Sequence, residues 1–152
     1  MVPTLDTNVL VYSVDDRDPL KQRAAGTIVD AIQAGHWPIA LQVCGEFYHA
    51  ATRRLGQSRW AAAQAARNLL TSYPTFGASM ATTSRALSES ATGRLSFWDA
   101  NLLSSAEAAG CTHLITEDMA DGLRLGRIEV VHAFEGGRPS RRACDLLGIE
   151  AP

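Results

Sequence analysis

The chain has little that would staple, anchor or steer it. Its three cysteines, Cys44, Cys111 and Cys144, are far apart and form no Cys-x-x-Cys pair. The four histidines, His36, His49, His113 and His132, show no zinc-ligand spacing. Neither zinc nor a disulfide framework is expected, and the cysteines read as reduced and structural. His113, inside a strand-like run, reads the same way. Lysine is nearly missing: Lys21 stands alone beside thirteen arginines. Without a Gly-Lys pair there is no phosphate-binding P-loop. No apolar run approaches the roughly 20 residues of a membrane span. The first residues carry neither the basic region nor the apolar segment of a secretion signal, so the expected location is cytoplasmic, with no membrane contact. A net charge of −2 supplies no global attraction to nucleic acid.

What is present suits one soluble domain. The length of 152 residues and a hydrophobic share of 46% are enough for a single sizeable core. Strand-like and helix-like patterns alternate. Val2–Leu5 reads as a short strand, although Pro3 cannot donate to a ladder. Thr7–Val14 reads as a short helix. Asp18-Pro19 opens a longer one, with a stripe of Leu20, Ala24, Ile28 and Ile32 that Gly35 ends. A strand at Pro38–Leu41 follows, then helices at Gln42–Leu55 and at the alanine-rich Ser58–Ser72. Thr75–Ala78 reads as a strand, and Ser79–Ala91 and Ser96–Ala109 as helices. His113–Thr116 and Ile128–Val131 complete the strands. This order points to a three-layer α/β/α domain with a mostly parallel central sheet. The domain is expected over residues 1–135. From Gly136 the composition turns to Gly, Pro, Ser and Arg, so 136–152 reads as a C-terminal tail with a helical turn near Ala143–Leu147. Arginines cluster at Arg53, Arg54, Arg59 and Arg67 and at Arg138, Arg141 and Arg142. They serve as solvated faces or as phosphate contacts, which arginine makes in bidentate fashion.

Four acidic residues stand where carboxylates are awkward. Asp6 follows the first strand, at a carboxyl end where open α/β sheets bind ligands; it would also serve as a helix cap. Glu46 lies at the edge of the apolar face made by Val43, Phe47 and Ala50. Asp99 has two roles open to it. Ser96-x-x-Asp99 fits a capping box, yet Leu102, Leu103, Ala106 and Gly110 fall within about 60° of it on a helical wheel. Asp118 again follows a strand, with Glu117 and Asp121 near enough to substitute. Carboxylates gathered together repel, by roughly 3 kcal/mol per pair at about 5 Å and an effective dielectric of about 20. A fold that gathers them usually gathers a hard cation too.

The ordered set resembles the PIN-domain nucleases, and among them the small VapC-type toxins of bacterial toxin–antitoxin pairs. The matching stretches are Leu5-Asp6-Thr7-Asn8-Val9-Leu10, the helix carrying Glu46, Ser96-Phe97-Trp98-Asp99-Ala100, and Leu114-Ile115-Thr116-Glu117-Asp118. The resemblance runs from Val2 to about Phe134. It implies that Asp6, Glu46, Asp99 and Asp118 are the catalytic, metal-binding acids. Thr7 and Asn8 would hydrogen-bond around them, and Thr116 would orient the last acid. It further implies Mg²⁺- or Mn²⁺-dependent RNA cleavage, a homodimer and a cognate antitoxin.

Carboxylate ligands suit Mg²⁺ or Mn²⁺, which keep several waters and bind substrate phosphate. The expected products carry 5′-phosphate and 3′-hydroxyl ends. Other Mg²⁺-using α/β classes fit less well. A haloacid-dehalogenase-like phosphatase needs Asp-x-Asp where this chain has Asp6-Thr7-Asn8. A response-regulator receiver needs a lysine after its last strand, and Lys21 is far too early. Two alternatives stay open: a PIN-like module that only binds RNA or protein, and a PIN nuclease of RNA processing. Finally, Phe47, Tyr48, Trp60, Leu69 and Leu70 exceed one buried stripe, which suggests a dimer or antitoxin contact.

Overall fold

Asp6 lies where the first buried strand hands over to the first helix, and the rest of the fold is arranged around that junction. The computed structural model describes residues 1–150. In chain order the elements are β1 (Pro3–Leu5), α1 (Thr7–Val14), α2 (Pro19–Ala34), β2 (Ile39–Ala40), α3 (Leu41–Arg53), α4 (Arg59–Ser72) and β3 (Thr75–Phe76). They continue with α5 (Met80–Ala91), α6 (Phe97–Ala108), β4 (His113–Thr116), β5 (Arg124–Leu125), β6 (Ile128–His132), β7 (Phe134–Glu135), β8 (Arg138–Pro139) and α7 (Arg141–Leu147).

The main sheet has the order β1-β4-β6-β5. β4 is parallel to both its neighbours, with Leu5 opposite Ile115 and Ile115 opposite Val131. β5 closes the far edge antiparallel to β6. The expected mostly parallel sheet is therefore present. β2 and β3 pair separately, in parallel, and β7 with β8 forms a small antiparallel ribbon. Pro3 fits because β1 ends the hydrogen-bonded order of the sheet and Pro3 is its first residue, where a missing N–H costs least. Leu114 and Ile115 point to opposite faces of β4 and both are completely buried. Packing thus covers the sheet on two sides, as parallel sheets require.

Helix starts follow local chemistry. Asp18 accepts from the Lys21 N–H, and Pro19 supplies the first helical residue of α2. Ser58, Ser79, Ser96 and Ser140 each accept the N–H three residues on, at the starts of α4, α5, α6 and α7. Three of these serines read from sequence as first helical residues; each is instead the cap just outside its helix. α6 carries no polar face over most of its length: every residue from Ala100 to Ala106 is buried.

The stretch after Gly136, read from sequence as a C-terminal tail with a helical turn near Ala143–Leu147, carries β8 and α7, and α7 packs into the core. Ala143, Cys144 and Leu147 of α7 are buried, and Ala143 and Leu147 belong to the same core as Leu5 and Ile115. Arg142 ties α7 to the sheet side through Asp121 at 2.8 Å and through Glu129. Gly148 ends the helix in the left-handed conformation, at φ 66°. All three cysteines are buried and unpaired. Burial pushes the Cys111 thiol up to about 11, which keeps it protonated and inert.

Candidate active site at the carboxyl end of the sheet

Asp6 is the hub of the site. Its backbone N–H donates to the Ile115 carbonyl, extending the β1–β4 ladder by one residue. Its backbone is extended, so its side chain turns back over α1. Oδ1 accepts the Thr7 N–H at 2.6 Å. Oδ2 accepts the Thr116 hydroxyl at 2.7 Å and a longer bond from Asn8 Nδ2 at 3.4 Å. The residue is only 7% exposed. Burial pushes its carboxyl up to about 6, against the pull of the Thr116 and Thr7 hydrogen bonds; the charges of Glu46 and Asp118 push the same way as burial. The helix-cap bond and the bonds to Thr116 and Asn8 are therefore made by different oxygens.

Thr116 and Asn8 connect this hub to Asp118. The Thr116 hydroxyl donates to Asp6 and accepts from Asn8 Nδ2 at 3.0 Å and from the Asp118 N–H at 3.2 Å. One donor and two lone pairs are thereby all used. Asn8 Nδ2 also donates to Asp118 Oδ2 at 2.9 Å. A single amide thus spans two carboxylates that would otherwise face each other unscreened. Its own Oδ1 is buried and has no hydrogen-bond partner among the described residues.

Glu46 joins from α3. Thr7 Oγ1 donates to Glu46 Oε2 at 2.6 Å, and Gln42 Nε2 donates to Oε1 at 2.9 Å. Gln42 also reaches α6: its Nε2 donates to the Trp98 carbonyl at 3.1 Å, and its Oε1 accepts Asn101 Nδ2 at 2.8 Å. Gln42 and Asn101 escaped the sequence reading. The one available signal was Gln42 four residues before Glu46, a spacing that puts both on one helix face.

Asp99 sits at the third position of α6, half-buried. Its N–H is capped by Ser96 Oγ at 3.1 Å. The return bond of a capping box, from the Ser96 N–H to the Asp99 carboxylate, is not formed among the described residues. Asp99's carboxylate is also not hydrogen-bonded to the other three acids; α6 is linked to them through Gln42. Glu117 and Asp121 are engaged elsewhere. Glu117 takes the Lys21 ammonium at 2.7 Å and the Tyr12 hydroxyl, and that ammonium lies 3.7 Å from the Tyr12 ring centroid. Asp121 pairs with Arg142 and accepts the His132 N–H at 2.9 Å.

Asp6, Glu46 and Asp118 are thus brought into one hydrogen-bonded, mutually repelling group. Among the described residues, no three acidic, histidine or cysteine side chains are gathered closely enough to form a metal cage. The donor chemistry still fits a small hard cation. The donors are all oxygen, Asp6 carries a raised carboxyl, and the Asn8 carbonyl oxygen is left over. Mg²⁺ in particular uses one or two carboxylates and keeps its waters, so it needs no closed protein cage.

Comparison with known proteins bears on the fold and the family. The toxin–antitoxin complex from Klebsiella pneumoniae has a chain that superposes with a TM-score of 0.62 at 23% identity, over 88% of this chain and 98% of that one. VapC20 of Mycobacterium tuberculosis, described as a sarcin-ricin loop cleaving toxin, gives 0.59 at 18% identity, over 74% and 86%. VapBC2 of Rickettsia felis, bound to a DNA fragment from its promoter, gives 0.62 at 14% identity, over 87% and 98%. No curated protein matches the sequence. The family model described as PIN domain matches residues 4–120, a span holding Asp6, Glu46, Asp99 and Asp118. On that match, and with the α/β architecture around its mostly parallel sheet, the chain belongs to the PIN-domain family.

Proposed function

We propose that this protein is a Mg²⁺- or Mn²⁺-dependent endoribonuclease and the toxin component of a toxin–antitoxin pair, working in the cytoplasm. The observation that carries the reading is the buried Asp6 carboxylate, coupled to Glu46 and Asp118 by repulsion and bridged by Asn8 and Thr116. An arrangement that keeps acids together against their repulsion costs stability, and a bound cation offsets that cost. The structural neighbours from toxin–antitoxin complexes support the same reading.

Asp6, Glu46, Asp99 and Asp118 are the residues that would hold the ion. When bound, Mg²⁺ or Mn²⁺ supplies polarisation of the scissile phosphate and a water acidified enough to attack it. The chain's own residues do the positioning. Thr7 and Gln42 fix the two oxygens of Glu46 separately, so that carboxylate cannot rotate freely. Asn8 and Thr116 aim Asp118, which is exposed, while Asp6 stays buried behind it. The site is therefore open on the Asp118 side, where a strand of RNA has access.

Protein partners belong to the same proposal: a homodimer and a cognate antitoxin. The chain keeps apolar surface on α4, where Trp60 is 83% exposed and Leu70 is also exposed. Phe47, read from sequence as part of that surface, belongs to the core instead.

The test is cleavage of a mixed single-stranded RNA pool by wild type and Asp6→Asn, each with Mn²⁺ and with EDTA. Cleavage by wild type with metal alone, giving 5′-phosphate ends, supports the proposal. Cleavage that persists in EDTA or in the variant contradicts it, and a protein that binds RNA without cutting it returns the chain to a binding role.

A further inference from the structure

Trp98 is a large apolar side chain that the proposed chemistry does not use. Its indole is 61% exposed, immediately before Asp99 in the first turn of α6. Other exposed apolar residues, Val14, Leu20, Leu41, Trp60 and Met80 among them, lie on helices α1 to α5. Trp98 differs because its backbone is tied into the site. Its carbonyl accepts from Gln42 Nε2, and the same nitrogen holds Glu46 Oε1. A continuous path of hydrogen bonds therefore runs from Asp6 through Thr7, Glu46 and Gln42 to Trp98. The ring itself is braced edge-to-face by Phe97, with centroids 5.0 Å apart at 70°. Its neighbours Arg94 and Ser96 are polar and exposed. An exposed indole braced by Phe97, with polar Arg94 and Ser96 nearby in the chain, presents a flat surface for another π-system.

We propose that Trp98 is a stacking platform for one unpaired base of the RNA. The proposal rests on the ribonuclease reading above. A base inside a duplex has both faces occupied by its neighbours, whereas an unpaired base can be splayed out and stacked on an aromatic ring. The contact selects for an accessible base and only weakly for its identity, because every base has a π-face. Trp98 then holds a base of the RNA, while the acids carry the chemistry.

Binding of a fluorescently labelled single-stranded RNA is measured in the Asp6→Asn background with EDTA, comparing Trp98, Trp98→Ala, Trp98→Phe and Trp60→Ala. Steady-state cleavage by proteins with Asp6 intact, in Mn²⁺, gives KM and kcat. Loss of one stacked base weakens binding about tenfold or more. That loss is expected for Trp98→Ala, with Trp98→Phe within about threefold of the parent and Trp60→Ala unchanged. RNA should quench indole fluorescence in the Trp60→Ala protein and not in Trp98→Ala. In cleavage, Trp98→Ala should raise KM with kcat nearly kept. RNAs carrying a single abasic ribose should include one position at which Trp98 and Trp98→Ala proteins bind equally. A Trp98→Ala protein that binds and cuts like its parent overturns the proposal while leaving the nuclease standing. So does a loss that is the same for intact and for all abasic RNAs, which marks a merely structural role. A Trp98→Ala change that alters only oligomeric state assigns the ring to a second copy and overturns it as well. Wild type that neither binds nor cuts RNA removes this inference together with the activity it rests on.

Discussion

At the scale of single residues, the site is a balance between burial and hydrogen bonding at Asp6. Its carboxyl is pushed to about 6, above the roughly 3.9 of an unfolded aspartate. The folded state therefore binds this proton more tightly than the unfolded state. Stability contributed by protonated Asp6 is present at low pH and is lost as pH rises from about 4 through about 6, by about 3 kcal/mol in all. Urea denaturation in EDTA should show wild type losing stability relative to Asp6→Asn between pH 4 and pH 7. A gap between the two proteins that does not change with pH would show that Asp6 is not held in a repelling, desolvated group. Asp6 was legible in the sequence because a short apolar run breaks on Asp6-Thr7-Asn8, and a carboxylate there has only a few roles. Gln42 and Asn101 were not legible, because their importance lies in a contact between α3 and α6 that no local spacing encodes. Glu117 and Asp118, adjacent in sequence, part company only in three dimensions: Lys21 and Tyr12 hold Glu117, while Asn8 bonds Asp118.

At the scale of elements, short pieces with good caps carry the site. α6 begins at a serine cap whose bond goes to the Asp99 N–H, not to its carboxylate. The two halves of the sequence motif Ser96-x-x-Asp99 are therefore separable. Ser96→Ala should cost about 1 kcal/mol of stability. Asp99→Asn should cost less than about 0.5 kcal/mol in the metal-free protein, since its main-chain cap bond survives. Thermal melts of the two variants in EDTA distinguish them. An Asp99→Asn protein destabilised as much as Ser96→Ala would assign the carboxylate to the helix start. Helices with an apolar period, such as α2 with Ile28 and Ile32, could be read from sequence because burial repeats along one face. The strands β1, β2, β3, β4 and β6 were legible in place but not in partnership, and the two-residue strands β5, β7 and β8 were not read at all: β2 and β3 form a pair of their own apart from the main sheet, which follows from packing and not from composition.

At the scale of the whole molecule, the core and the site share their scaffold. α7 closes the core through Ala143 and Leu147, and Arg142 joins it to Asp121 and Glu129 beside β6. Leu147→Ala should therefore destabilise the protein by about 2 kcal/mol or more, as for other buried leucines. A urea midpoint unchanged by that substitution would return the segment to the status of a tail. Under the proposed function, Asp6, Glu46, Asp99 and Asp118 act together on one cation. The most direct test is the thermal stability of wild type, Asp99→Asn, Asp118→Asn and Leu147→Ala, each measured in EDTA and in Mn²⁺. At about a hundredfold excess over Kd, a cation bound only by the folded state adds about 2.7 kcal/mol, or about 5–10 °C for a chain of this size. Wild type and Leu147→Ala should show that gain, and both acid variants should show little of it. Equal gains in all four proteins, or none in wild type, would contradict a shared carboxylate site.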